Sequence, residues 1–198
     1  MNTPAHIIIN LFLLNPQDKA PILLTPVVAG SILPDASMFV FYFWEKVVLK
    51  TPERMIWSQS YYQPFWQTLS AISNSIPLVC VGLLISISAR SRWGILLFSS
   101  MLLHLFGDFP LHSEDAHRHF FPFSDWRFHS PLSYWDPNHY GHIVGAIEFL
   151  TVIVGCLILL VQYQSWEGKL AVGSIFGLYL AYGVYVFSVW ASTVTSNQ

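Results

Sequence analysis

The chain has 198 residues, of which 54% are hydrophobic and only 10% carry a charge. This composition excludes an ordinary water-soluble domain and predicts a protein whose main solvent is lipid. The net charge is −2, and the nine basic residues are scattered rather than gathered in a stripe that could follow a phosphate backbone. The sequence therefore gives no support for a nucleic-acid partner, and membrane lipids are the expected partners.

Five apolar stretches are close to the length of a bilayer crossing. They cover residues 22–44, 69–89, 93–111, 143–164 and 169–191. The first is the least regular, because two prolines, a glycine and Asp35 interrupt it, and irregular backbone at membrane depth needs cover from protein or a wet cavity. We predict an all-α polytopic membrane bundle of four to five transmembrane helices, with a kinked or re-entrant first span, forming one integral membrane domain over residues 1–198.

A short helix is expected ahead of the first span. Thr3 followed by Pro4 combines an N-cap hydroxyl with a proline in the first turn, which is typical of a helix start. The pattern predicts a helix over residues 4–14 that is apolar almost all round. Its polar positions, His6 and Asn10, lie one turn apart. Such a helix lies in the membrane interface or packs on the bundle.

The last two spans carry small residues at helical spacing. Gly141 with Gly145, and Gly173 with Gly177, form pairs that predict close packing of these two spans. Glu148 shares a face with the first pair and therefore points into the bundle. There it either hydrogen-bonds a Ser, Tyr or His of a neighbouring helix or takes part in a metal site.

Histidines and acids concentrate in one region of the chain. Seven of the eight histidines and six of the eleven acids fall between His104 and Glu148. At 100° per residue, His104 and Asp108 lie on the same helical face, as two ligands of one ion must. A hydrogen bond between the two explains that pair alone as well as a metal does, but the whole cluster favours a metal, because buried charge in a membrane needs a partner.

The cluster continues into a loop over about residues 112–141. Its candidate metal ligands after Asp108 are His112, His117 and His119, and Asp115 lies among them. Imidazole and carboxylate together suit zinc, manganese or iron better than magnesium, which prefers oxygen ligands alone. We therefore predict a divalent transition-metal cofactor, with zinc as the first choice and manganese or iron as alternatives.

The order of these motifs resembles a known family. His6 in a short N-terminal helix, the segment Gly30-Ser-Ile-Leu-Pro34-Asp35, and His104-Leu-Phe-Gly-Asp108 followed by His112 are similar to a bacterial inner-membrane family of metal-dependent hydrolases. That family is distantly similar to zinc-dependent phospholipase C and the P1-type nucleases. The resemblance implies a helical hydrolase with clustered metal ions, whose ligands would be His6, Asp35, His104, Asp108 and His112.

The resemblance also implies individual roles. Asp108 would bridge two metals, and Asp35 would be a metal ligand or the base for the attacking water. The family usually has a histidine just before a serine in its middle motif, where this chain has Asn74 before Ser75. Either the site binds one ion fewer, or a histidine from the 112–119 run takes that place.

The function predicted from the sequence is a membrane-embedded metal-dependent hydrolase that acts on a phosphoester or lipid-like substrate. Its metal would lower the pKa of a bound water, and Asp35 or Asp115 would be the general base. Arg118 or Arg127 would hold an anionic headgroup through a bidentate contact. The alternative is a non-enzymatic metal or proton permease, or a metal-binding accessory protein. A permeation path needs polar groups at several depths, whereas here they gather near one side.

Overall fold

The computed structural model describes residues 1–14 and 24–196, and every regular element within these ranges is helical. The α-helices are α1 (Thr3–Leu14), α2 (Leu24–Phe43), α3 (Glu53–Ser58), α4 (Pro64–Ser73), α5 (Ile76–Ser88), α6 (Arg92–Asp108), α7 (Gly141–Gln162) and α8 (Trp166–Ser196). A π-helical segment, Trp44–Val48, continues α2, and single 3-10 turns lie at Ser60–Tyr62 and Pro137–His139. The predicted all-α bundle with a short N-terminal helix is confirmed.

Among the described residues, four stretches are long and apolar enough to cross a membrane, namely Leu24–Val48, Pro64–Ser88, Gly141–Gln162 and Trp166–Val186. Large apolar side chains face outward on them: Val161 is 79% exposed and Val184 is 70% exposed, as expected of a surface that contacts lipid. The 17 residues of α6 cover only about 25 Å, less than the ~30 Å hydrocarbon core. The expected span at residues 93–111 is therefore a shorter helix inside the bundle.

The helix is interrupted in the second span rather than the first, where the π-helical segment continues α2 without a break. α2 stays helical through Pro34, so the first span is not re-entrant over its described part; residues 22 and 23 lie outside the described residues. The interruption falls between α4 and α5. Ser75 begins α5 by accepting a hydrogen bond from the amide of Leu78 at 3.2 Å. The side chain of Asn74 donates to the carbonyl of Pro34 at 3.1 Å, which ties the break to α2.

Close contact between α2 and α6 depends on Gly30. A Cβ atom at this position would lie 2.3 Å from the carbonyl oxygen of Leu97 and 2.7 Å from Cβ of Ser100. The first neighbour is backbone and cannot move away without shifting α6. Glycine is therefore required where these two helices meet.

A layer of buried polar side chains joins α1, α2 and α6. Nδ2 of Asn10 donates to the hydroxyls of Ser31 and Ser100, each at 2.9 Å. Both hydroxyls in turn donate to the carbonyl of Val27, at 2.9 and 2.7 Å. We call Asn10, Ser31 and Ser100 the polar layer. On one side of it the core is apolar, with Leu11, Leu24, Val152, Cys156, Leu159 and Val172 buried.

The glycine pairs do not pack the last two spans together. Within the described part of the chain, a Cβ at Gly173 or Gly177 would have no neighbour within 4 Å. Gly141 packs instead against the loop that precedes α7. α7 and α8 approach closely at Gly183, where a Cβ would lie 2.8 Å from the ring of Phe149. The predicted packing role of the two pairs is therefore wrong.

The crowding at Gly30 leads to a stability prediction. Gly30→Ala should lower the free energy of unfolding by about 1–3 kcal/mol, because the added methyl group overpacks the contact between α2 and α6. Gly173→Ala is the matched control, since its methyl group meets open space, and it should leave stability equal or slightly higher. Thermal unfolding of the detergent-purified variants measures both, and equal unfolding temperatures would contradict the assignment.

Candidate metal centre

The residues of the candidate site lie one helical turn above the polar layer. His6 follows the first turn of α1 and precedes Asn10 by four residues, whereas Asp35 and His104 each follow a serine of the layer by four residues. Because side chains four residues apart share a helix face, the contacts that hold the layer together also bring these three side chains together. The side chains of His6, Asp35 and His104, which come from three helices, therefore lie at the same level of the bundle.

The carboxylate of Asp108 is the centre of this group. Its Oδ1 atom lies 2.9 Å from Nε2 of His6, and its Oδ2 atom lies 3.0 Å from Nε2 of His104 and 3.5 Å from Nε2 of His112. Oδ1 of Asp35 is 3.6 Å from Nε2 of His104. The rings of His6 and His104 stack with their centroids 3.6 Å apart and their planes 12° apart. We call these five residues the Asp108 cluster.

The arrangement of nitrogen atoms fits a cation. Nδ1 of His104 is 2.8 Å from the carbonyl of Ser31, which can only accept a hydrogen bond, so Nδ1 carries the proton of the neutral ring. Nε2 then presents a lone pair to Oδ2 of Asp108. In the described part of the chain, neither Nε2 of His104 nor Nε2 of His112 has a hydrogen-bond partner. A cation between these lone pairs would satisfy them.

The distances also fit. Two atoms bound to one zinc ion at about 2.0–2.2 Å can lie up to about 4.4 Å apart. The contacts between ring nitrogens and carboxylate oxygens in the Asp108 cluster run from 2.9 to 3.6 Å, which is below this limit. Mixed imidazole and carboxylate ligands suit zinc, manganese or iron.

His112 reaches the cluster from the loop, because α6 ends at Asp108. Its Nδ1 donates to Oδ2 of Asp115 at 2.9 Å, and that oxygen also accepts from the indole of Trp135 at 3.1 Å. Burial opposes the charged ring of His112, but the carboxylates of Asp108 and Asp115 outweigh it and raise the pKa of His112 to about 9. Burial likewise opposes ionisation of Asp115, yet His112 holds its pKa at about 2. Asp115 therefore orients His112 towards Asp108.

The other two loop histidines predicted as metal ligands, His117 and His119, lie behind His112. The ring centroid of His117 is 4.9 Å from that of His112 and 5.8 Å from that of His119. Burial lowers the pKa of His117 to about 3, which keeps the ring neutral, as a metal ligand must be. Nδ1 of His119 donates to the carbonyl of Asn74 at 3.1 Å. His117 thus borders the Asp108 cluster, while His119 holds the loop against the break between α4 and α5.

A cavity of about 200 Å³ opens beside the Asp108 cluster. We call it the site cavity; the polar residues in its wall include Asp35, Ser70, Asn74, His112, Asp115, His117 and Tyr134. Burial raises the pKa of Tyr134, so its phenol stays a hydrogen-bond donor. The sequence pattern does not single out Ser70 or Tyr134. Oδ1 of Asn74, which the family resemblance marked as a departure, is buried without a partner among the described residues.

The two arginines proposed to hold a headgroup are not among the residues that line the site cavity. Arg118 pairs with Asp125 at 2.8 Å and donates to the carbonyl of Gln67 at 2.7 Å. Arg127 donates to Oε1 of Gln67 at 2.8 Å and to the carbonyl of Ala116. Both therefore fasten the loop to α4 in this structure, and their contact with a headgroup stays a prediction.

Glu148 forms hydrogen bonds with Asn2 and Tyr179 and not, among the described residues, with the Asp108 cluster. Its Oε1 atom accepts from Nδ2 of Asn2 at 2.7 Å and from the phenol of Tyr179 at 3.0 Å. The contact with Tyr179 is the packing hydrogen bond to a neighbouring helix that was one of its two expected roles. The adjacent Met1 nitrogen contacts the carboxylate of Asp108. Glu148 thus holds the start of α1 over the site.

Comparison with known proteins does not assign the chain to a family. No family model, curated protein or solved structure matches it. The resemblance of its motifs to metal-dependent hydrolases therefore stays a prediction, and a functional assignment has to rest on the geometry of the Asp108 cluster and the site cavity.

The Asp108 cluster leads to a prediction about bound metal. His104→Ala and Asp108→Ala should each abolish stoichiometric transition metal in detergent-purified protein, because each removes a buried ligand atom from the centre. His142→Ala is the control, since His142 is exposed at the start of α7. Elemental analysis, with size-exclusion chromatography to verify folding, measures the outcome. Equal metal contents in the wild type and all three variants would show that the cluster is a hydrogen-bond network.

Proposed function

We propose that the protein is a metal-dependent hydrolase embedded in the bacterial inner membrane, with a phosphoester or lipid-like substrate. One observation carries the proposal: the Asp108 cluster borders a cavity of about 200 Å³, and three of its ring nitrogens, one each from His6, His104 and His112, make no hydrogen bond among the described residues. A purely structural network normally pairs its buried donors and acceptors. Unpaired ligand atoms beside an accessible space favour a centre at which a small group reacts.

A divalent metal held there would lower the pKa of water and polarise an ester oxygen. His6, His104 and His112 would each supply one ring nitrogen; the pKa of His112, about 9, means that its ring would give up a proton when a metal binds. Asp108 would contribute its carboxylate, whose two oxygens face different imidazoles. Asp35 completes the set at the edge of the site cavity.

Asp115 is better placed than Asp35 to act as the base. Oδ1 of Asp115 is buried without a partner among the described residues, and the residue lines the site cavity. Both oxygens of Asp35 are engaged, one with the hydroxyl of Thr3 and the other facing His104. We therefore assign proton acceptance to Asp115 and metal binding to Asp35.

The proposed reaction is the hydrolysis of one ester bond. The oxygen of water bonds to the phosphorus or acyl carbon as Asp115 takes one of its protons. The bond to the alcohol oxygen breaks, and the proton held by Asp115 passes to that oxygen, so that the alcohol leaves neutral and the carboxylate is restored. Tyr134, which lines the site cavity as a protonated phenol, is positioned to hydrogen-bond the substrate or the leaving oxygen.

The distribution of buried polar groups favours a reaction centre over a permeation path. The polar groups reach one turn below the Asp108 cluster, to Asn10, Ser31 and Ser100. In the described residues, the core that continues on that side consists mainly of apolar side chains. A path for metal ions or protons would need polar groups or water through this half of the bundle.

The assignment of Asp115 leads to a kinetic prediction. Asp115→Asn should lower kcat by about 10²–10⁴-fold, the usual contribution of a general base, while metal content stays unchanged. The asparagine oxygen can still accept the hydrogen bond from Nδ1 of His112, so the ligand keeps its orientation. Release of nitrophenol from a soluble p-nitrophenyl phosphodiester measures the rate. Glu114→Gln is the control, because Glu114 is an exposed acid of the same loop.

Two outcomes would count against the proposal. If metal-loaded wild-type protein cleaves neither phosphodiesters nor carboxylic esters, hydrolysis is wrong. Metal flux into liposomes containing the protein would then support the permease, and its absence would support a metal-binding accessory protein. If Asp115→Asn keeps full activity, Asp115 is not the base.

A further inference from the structure

The loop after α6 carries large apolar side chains on its surface. In its tip, residues 118–126, Phe123 is 84% exposed, Trp126 is 53% exposed and Phe120 is exposed as well. The rings of Phe120 and Trp126 lie 5.8 Å apart, and we call these two residues together with Phe123 the tip rings. Grouped exposed rings indicate a surface that contacts lipid or another protein rather than water.

Hydrogen bonds fasten the tip to the break between α4 and α5, inside the second membrane span. The amide of Ile76, the first residue of α5, donates to the carbonyl of His119 at 2.9 Å. The hydroxyl of Ser75 donates to the carbonyl of Phe121. Nδ1 of His119 in turn donates to the carbonyl of Asn74. The tip is therefore held at the level of the break and not at the end of the span.

The break lies deep in the bilayer. The turn between α5 and α6 carries the exposed side chains of Arg90 and Arg92, which mark one membrane surface because exposed charge is costly in hydrocarbon. α5 has 13 residues, so the break is about 20 Å from that surface. With a hydrocarbon core of ~30 Å, the break lies about 10 Å inside the opposite surface. The tip of the loop is thus at membrane depth.

The backbone of the tip meets the condition that hydrocarbon sets, which is that polar groups pair within the protein. The amide of Phe121 donates to the carbonyl of Arg118 at 3.1 Å. The amides of Phe123 and Ser124 donate to the carbonyl of Phe120 at 3.0 and 3.1 Å. The proline between Phe121 and Phe123 has no amide hydrogen. Every amide hydrogen in residues 121–124 is therefore paired inside the tip.

The charged side chains of the tip point away from the break. Nη1 of Arg118 donates to Oδ1 of Asp125 at 2.8 Å, and Nη2 donates to the carbonyl of Gln67 at 2.7 Å. Gln67 precedes Ser75 by eight residues, which is about 12 Å along a helix. The ion pair thus lies near the opposite membrane surface, where it reaches headgroups and water. The chain between the ion pair and the break contains Phe123, whose exposed ring therefore faces hydrocarbon.

We propose that the tip of this loop is a re-entrant segment whose tip rings contact the acyl chains of membrane lipids. The loop dips into the bilayer beside α4, reaches the break in the second span and returns to the surface where α7 begins. The same loop supplies His112, Asp115 and His117 to the wall of the site cavity. The bilayer therefore helps to hold the cover over the site. This inference is independent of hydrolysis, because the partner is the lipid around the bundle.

The depth of the tip is measured with a nitroxide attached at Phe123→Cys in the full-length protein, in vesicles of phosphatidylethanolamine and phosphatidylglycerol. The background carries Cys80→Ala, and Cys156 is fully buried; labelling of this background alone measures any remaining nitroxide. Power saturation compares collisions of the nitroxide with oxygen, which concentrates in lipid, and with chromium oxalate, which stays in water. Neither metal loading nor substrate is needed, so the result does not depend on the proposed reaction.

Two matched positions calibrate the result. Asn138→Cys is an exposed position in the 3-10 turn before α7, and Leu150→Cys is 63% exposed within the membrane span Gly141–Gln162. The ratio of oxygen to chromium oxalate collisions at Phe123→Cys should be several-fold higher than at Asn138→Cys and close to that at Leu150→Cys. Trp126→Cys should agree with Phe123→Cys and replaces it if size-exclusion chromatography shows that variant to be misfolded.

Three results would overturn the proposal. A ratio at the tip equal to that at Asn138→Cys would place the tip rings in water. A nitroxide shielded from both reagents would mean that protein, not lipid, covers them. Spin–spin broadening between labelled tips would mean that a second copy of the chain does so.

Discussion

The structure depends on one electrostatic constraint, the burial of the Asp108 carboxylate in an apolar bundle. A carboxylate removed from water is strongly destabilised unless positive or hydrogen-bonding groups surround it. The Met1 nitrogen and Nε2 of His6 contact its Oδ1 atom, and Nε2 of His104 and Nε2 of His112 face its Oδ2 atom, with Asp108 only 1% exposed. The first helix, the sixth helix and the loop after it must therefore converge. The same convergence creates the metal-type centre, so the requirement for stability and the proposed chemistry share one set of contacts.

The polar layer explains how the convergence is achieved. Gly30 lets α2 and α6 approach closely, and Asn10 links both helices to α1. Because each member of the layer precedes or follows a ligand-type residue by one turn, the alignment of the layer sets the alignment of the centre. The covering loop then completes the wall of the site cavity, held to α4 by its two arginines. The site thus has two structural parts: the polar layer, which aligns the three helices, and the loop, which covers the site cavity.

Much of the architecture is predictable from the sequence because it depends on local rules. Apolar runs indicate the spans, the Thr3-Pro4 start indicates α1, and four-residue spacing places His104 beside Asp108. What escapes prediction depends on tertiary contacts. Neighbouring helices decide whether α2 continues through Pro34 and where the second span breaks, at Asn74. They also decide that Gly173 and Gly177 make no close contact within the described part of the chain. Tyr134 and Ser70 reach the cavity by long-range folding of the chain, which no local pattern of residues encodes.

The break between α4 and α5 also has a consequence for biogenesis. α4 has ten residues and α5 thirteen, so they are about 15 and 20 Å long, and neither crosses ~30 Å of hydrocarbon alone. The two half-helices must therefore enter the bilayer as one unit, with the polar backbone at their junction shielded by α2. That shield is already synthesised when they emerge, whereas α6 and the loop come later. The order of synthesis thus matches the order of burial: α2 is available to shield the junction before α6 and the loop that covers the site cavity are made.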